Sequence, residues 1–178
     1  MHSFAPIVLE TERLRLRPQR ATDLEDCAAM WASPGVVEHI SGRPFTREES
    51  WSRLLRNVGH WALLGWGPWA VENRLTGDYY GEVGFFEFER DLRPGFGGLP
   101  EMGWVLAQAA HGKGFATEAA LAALRWADGY FEHRGVACMI NPTNGASIGV
   151  ARKLGFREVR TATYRDGPIL IFERPRGG

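Results

Sequence analysis

The 178-residue chain has few of the residues that would tie it to a metal, a membrane or a secreted framework. It holds two cysteines, Cys27 and Cys138, too few for a disulfide framework or a cysteine metal site. Cys27 falls in a helical pattern and Cys138 in an apolar strand run, so both read as small buried residues. Five histidines are scattered without metal-ligand spacing, so no metal is expected. Lys and Arg number 21 and Asp and Glu number 21, and this zero net charge gives no long-range attraction to nucleic acid or an anionic membrane. No apolar run approaches a membrane span, and no basic segment followed by an apolar one opens the chain. The expectation is a cytoplasmic protein in a reducing compartment. Internal repeats, low-complexity tracts and linkers are also lacking, which predicts a single domain over residues 1–178.

The hydrophobic fraction of 44% is enough for one sizeable core. Periodicity predicts a first strand over 8–17. Helices follow at about 21–31, with Thr22 or Asp23 near the cap, and at about 47–62 behind Thr46. Strands 67–73 and 80–88 read as an antiparallel hairpin turning at Thr76-Gly77-Asp78. Residues 91–99 carry four Gly or Pro and read as an exposed loop, and 101–106 as a strand. A helix begins after Gly114, followed by a strand at 135–140, a helix after Asn144, and closing strands near 156–163 and 168–174. This mixed order predicts an α/β (α+β) domain with a mixed sheet.

Two segments carry the chemistry. His111-Gly112-Lys113-Gly114-Phe115-Ala116-Thr117-Glu118-Ala119 is a glycine-bearing loop turning directly into a helix. Free backbone N–H groups at such a helix start make a cradle for a phosphate or pyrophosphate. Small residues at Ala116, Ala119, Ala120, Ala123 and Ala127 let that helix sit close to a sheet. The second segment, Asn144-Gly145-Ala146-Ser147-Ile148-Gly149-Val150-Ala151-Arg152-Lys153-Leu154-Gly155-Phe156, has Asn144 as helix cap and Gly155 as stop. The first loop has neither the Gly-x-x-x-x-Gly-Lys-Ser/Thr spacing of a mononucleotide site nor a complete Gly-x-Gly-x-x-Gly, which would need glycine at Thr117.

Together, in order and correctly separated, the two segments resemble the GNAT superfamily of acyl-CoA-dependent N-acetyltransferases. Thr11-Glu12-Arg13-Leu14-Arg15-Leu16-Arg17-Pro18 resembles the opening strand of its Rim-type branch, which includes acetyltransferases of ribosomal-protein N-termini. The likeness runs from about residue 9 to about residue 173. It implies the GNAT fold, a mixed and mostly antiparallel sheet of about seven strands flanked by about four helices, split open to admit acetyl-CoA. It further implies an amine acceptor, either a peptide N-terminus or a small molecule. The alternatives are an antibiotic or other small-amine acetyltransferase and a non-catalytic acyl-CoA sensor. Oligomeric state stays open, with a homodimer among the options.

By the same resemblance, backbone N–H groups of His111, Gly112, Lys113, Gly114, Phe115, Ala116 and Thr117 hold the pyrophosphate. The family usually has Gln or Arg where this chain has His111. The backbone of Val105 and Leu106 pairs with the pantetheine arm as a further strand would, and Asn144 is both helix cap and cofactor contact. Glu101, sharing a strand face with Gly103 and Val105, matches a general-base position of some members, with Glu82 as its rival. Many members carry a tyrosine where this chain has Ala151, leaving Ser147 as the nearest hydroxyl for the general acid. Trp61, Trp66 and Trp69 are either a packed aromatic cluster or the lining of an acceptor pocket.

Overall fold

The structure is a computed structural model that describes residues 7–131 and 135–178. Among the described residues eight strands form one sheet: β1 (Leu9–Glu10), β2 (Leu14–Pro18), β3 (Pro68–Asn73), β4 (Tyr79–Phe86), β5 (Glu101–Leu106), β6 (Val136–Ile140), β7 (Arg157–Tyr164) and β8 (Gly167–Arg174). Five helices among the same residues accompany them: α1 (Leu24–Trp31), α2 (Pro34–Val37), α3 (Arg47–Leu64), α4 (Phe115–Tyr130) and α5 (Gly145–Lys153). The spatial order is β1-β2-β3-β4-β5-β6-β8-β7, and every neighbouring pair is antiparallel except β5 with β6. The predicted first strand is two strands, because Thr11 turns the chain by accepting a hydrogen bond from the Leu14 amide at 2.9 Å. Asp23 stands at the N-cap of α1, as predicted, although its carboxylate caps no amide of that helix. Asp23 accepts from the Arg20 amide at 2.8 Å and closes a 3-10 turn over Ala21–Asp23 ahead of α1.

Alternation along the central strands sorts side chains to two faces. On one face Leu14, Leu16, Trp69, Val71, Val83, Phe85 and Met102 pack against the Ala119, Ala120, Ala123, Leu124 and Ala127 stripe of α4. Trp61, Trp69 and Trp126 belong to this layer, with Trp61 to Trp69 ring centroids 5.0 Å apart and Trp69 to Trp126 5.1 Å. The tryptophans are therefore a packed cluster. On the opposite face Cys27, Met30, Trp31, Val36 and Val37 of α1 and α2 form a smaller core against Tyr79, Val105 and Ala107. Both cysteines are buried, and burial pushes both thiols above the usual range, Cys27 to about 12.

The β5–β6 junction positions the site. These two strands are registered only at Glu101 against Ala137, where the Ala137 amide donates to the Pro100 carbonyl at 3.0 Å. Beyond that point they part, and residues 102–106 keep β4 on one side while their other edge has no strand partner among the described residues. An unpaired edge is normally confined to a sheet's margin, but here it lies in the middle. Among the described residues no helix is long and apolar enough to cross a membrane.

Candidate active site

The open edge of β5 leads directly into the glycine-bearing loop. Gly112 (φ +73°) and Gly114 (φ +79°) take left-handed conformations that side chains other than glycine resist. The first helical bond of α4 runs from the Glu118 amide to the Gly114 carbonyl at 3.0 Å, and no side chain caps this end. The amides of Phe115, Ala116 and Thr117 therefore precede the helical ladder. A Cβ built on Gly112 meets nothing within 4 Å. Open space, left-handed glycines and uncapped amides together suit a phosphate group.

The loop is held in shape by residues the sequence did not single out. Arg13, just ahead of β2, pairs with Glu118 at 2.5 Å, donates to the Lys113 carbonyl at 3.0 Å and lies 4.5 Å from the Phe115 ring centroid. The Thr11 hydroxyl donates to the second Glu118 oxygen at 2.6 Å. His111 donates from Nε2 to the Leu106 carbonyl at 2.8 Å, tying loop to strand. Its imidazole is thus occupied as a brace. Lys113 is exposed.

This clasp has a pH signature. Burial works to raise the Glu118 carboxyl, but hydrogen bonds from Thr11 and Arg13 outweigh it and hold the group below its ordinary value of 4.5. A carboxylate depressed in the folded state stabilises the fold fully above its unfolded pKa, and the contribution disappears as pH falls through the lower folded value. Glu118→Gln should therefore be less stable than wild type at pH 7, with the difference shrinking below about pH 4.5. Urea midpoints from pH 7 to 3 check this, and a pH-independent difference would refute it.

The other candidate residues converge on a cavity of about 400 Å³ between β5, β6 and the β7–β8 hairpin. Glu101, Val105, Asn144, Ser147 and Glu82 all line it, with Trp31, Arg53, Arg90 and Tyr164. Asn144 caps α5 by accepting the Ser147 amide at 3.0 Å. Leu106 and the 111–117 loop are not among the lining residues. Ala151, at the family's tyrosine position, is fully buried.

Neither glutamate is the free carboxylate expected of a base. Glu101, 9% exposed, accepts from Arg90 Nε at 2.6 Å and Nη2 at 2.9 Å, while Arg90 Nη1 donates to the Tyr164 hydroxyl at 2.6 Å. Taking up a proton would weaken this bidentate pair. Glu82, 1% exposed, accepts from Gln19 at 3.0 Å, Trp31 at 2.9 Å and Arg53 at 2.6 Å, and also from Asn57. Sequence reasoning missed these donors because those of Glu82 lie 25 to 63 residues away and that of Glu101 lies 11 residues away, outside its strand.

The comparisons agree with this geometry. The family model described as the acetyltransferase (GNAT) domain matches residues 13–157. The Bacillus subtilis (strain 168) protein YkkB is 29% identical over 169 residues, covering 93% of this chain and 94% of its own. The structure of a GnaT-family protein from Bordetella pertussis superposes with a TM-score of 0.82 at 31% identity, over 94% of this chain and 99% of that one. RimL, a ribosomal L7/L12 α-N-protein acetyltransferase solved with coenzyme A, shares the fold at a TM-score of 0.77 and 13% identity, over 95% and 98% of the two chains. With a family model spanning most of its length and a split sheet opening onto an uncapped helix start, the chain belongs to the GNAT family of acetyltransferases.

Proposed function

We propose that the enzyme transfers an acetyl group from acetyl-CoA to the α-amine of a peptide or protein by direct attack. The observation that carries this reading is the unpaired β5 edge running into the uncapped start of α4. The backbone of Val105 and Leu106 suits an extended pantetheine arm, and the amides from His111 to Thr117 suit the pyrophosphate. Asn144 contributes a polar contact from the opposite lip. When bound, acetyl-CoA supplies a thioester that a neutral amine can attack.

Both buried glutamates are committed to arginines, so the acceptor's own acidity matters. An α-amine of pKa about 7.7–8.0 is roughly a tenth to a fifth neutral at pH 7, whereas lysine at about 10.4 is almost wholly charged. A site without a free carboxylate suits the α-amine, with water taking the proton. Glu101 then acts by holding Arg90 and Tyr164 in place, and Ser147 offers a hydroxyl proton on the cofactor side.

The test is CoA release across peptides with free N-termini, polyamines and aminoglycosides, with Glu101→Gln assayed alongside from pH 6 to 8. Free N-termini should be the best acceptors, and the variant should lose rate by a similar factor at every pH. A deficit that shrinks as pH rises would restore Glu101 as general base. Exclusive use of aminoglycosides would replace the peptide reading.

A further inference from the structure

The cleft opens into a second hollow, a groove of about 1930 Å³ between α3, the chain following β4 and the tip of the β7–β8 hairpin. Arg53, Arg90 and Arg165 line both spaces and so mark their junction, and Arg56 stands beside them in the groove. The charges at this junction do not cancel. Glu82 is matched by Arg53 and Glu101 by Arg90. Arg56 has no ion-pair partner among the described residues, and its guanidinium lies 4.5 Å from the Phe88 ring centroid. Its side chain reaches solvent, yet packing on its inner side, followed by Arg53, holds its pKa below the usual arginine value, with Arg90 adding to this and Glu82 and Glu101 opposing.

Arg53 has spare capacity as well. Its Nε is spent on Glu82 and its guanidinium sits 4.0 Å from the Trp31 ring centroid, while neither terminal nitrogen makes a hydrogen bond among the described residues. The buried carboxylate fixes the orientation of this fork, and a planar guanidinium fork matches a carboxylate. Glu48, Glu49, Glu87, Glu89, Asp91 and Asp166 line the same groove as Arg56, with Glu49 and Asp91 paired to Arg43 and Arg93, whereas the acids lining the inner cleft are Glu82 and Glu101, both already paired.

We infer that the acceptor is a primary amine carrying a carboxylate close to that amine, seated on Arg53 and Arg56 at the mouth of the cleft. This deepens the acetyltransferase reading and rests on it. The carboxylate can come from an acidic side chain near a peptide N-terminus or from a free amino acid. Polyamines carry no such group to offer Arg53 and Arg56.

The test uses tetrapeptide amides that differ only at the second residue (glutamate, glutamine or lysine) together with free glutamate. The glutamate peptide should exceed the glutamine peptide by about tenfold in kcat/KM, and the lysine peptide should be poorest. High salt should shrink that preference. Activity on free glutamate would identify the amino acid as the source, and inactivity there would identify the peptide. Arg56→Gln should bring the glutamate-to-glutamine ratio within about twofold of unity, whereas Arg125→Gln, on an exposed part of α4, should leave the ratio unchanged. Calorimetric titration of the same peptides into CoA-saturated enzyme gives the preference independently of turnover. Equal binding of the three peptides, a preference for lysine, or an unchanged ratio in Arg56→Gln would overturn the inference. Failure of acetyl-CoA to bind at all would instead overturn the function proposed above.

Discussion

Gly114→Glu is expected to weaken acetyl-CoA binding by at least a hundredfold while the domain stays folded. Gly114 takes a left-handed conformation at φ +79°, immediately before the first residue of α4. A side chain there costs about 1–2 kcal/mol in backbone strain, well within the stability of a domain. The carboxylate adds a negative charge where phosphate oxygens are to lie. Two like charges about 4 Å apart repel by about 4 kcal/mol at an effective dielectric of about 20, which exceeds a hundredfold in affinity. Gly129→Glu is the control, since it adds the same charge near the far end of the same helix in open space. Calorimetry should show near-normal affinity in the control and almost none in Gly114→Glu, with unchanged far-UV circular dichroism in both. A folded Gly114→Glu binding within threefold of wild type would mean that the pyrophosphate lies elsewhere.

The largest loss of stability is expected at Glu82. Its carboxylate receives four side-chain donors from three different parts of the chain, two of them on α3, and the guanidinium of Arg53 is itself mostly buried at 13% exposure. Glu82→Ala removes the common acceptor and leaves a cation and three neutral donors facing a void. Breaking a buried ion pair from one side costs about 3–5 kcal/mol. Urea unfolding should show this loss, and a change under about 1 kcal/mol would mean that water replaces the carboxylate with little penalty. Activity should fall as well, because Arg53 would lose its fixed orientation at the cleft mouth.

Local chemistry was legible in the sequence and distant pairing was not. Strand 101–106 appears with the predicted boundaries, and Thr46, Asn144 and Gly155 cap or stop their helices as read, because each signal lies within a few residues. The glycine loop was visible for the same reason. Helix α2 was missed, as four residues are too few to show a period. The clasp of Arg13 on Glu118 spans 105 residues, and Arg13 lies ahead of β2, where no local pattern points to a partner. Glu101 and Glu82 could be placed on a strand face by period, but their arginine partners on other elements decide whether they are free to take a proton.

The parting of β5 from β6 also bears on which parts of the molecule are labile. Sheet centres are ordinarily the slowest regions to exchange amide hydrogens, since opening them requires global unfolding. Here the central strand keeps a ladder on one side only, so any amide between residues 102 and 106 that faces the gap has no neighbouring strand to protect it. Without acetyl-CoA, fast-exchanging positions should therefore sit between slow ones on β4 and β6, deep inside the sheet. A bound extended chain would add the missing rung and silence them. The same gap is lined by residues of α5 and the β7–β8 hairpin, so its unpaired edge is sheltered from the sheet-to-sheet association that an open margin invites.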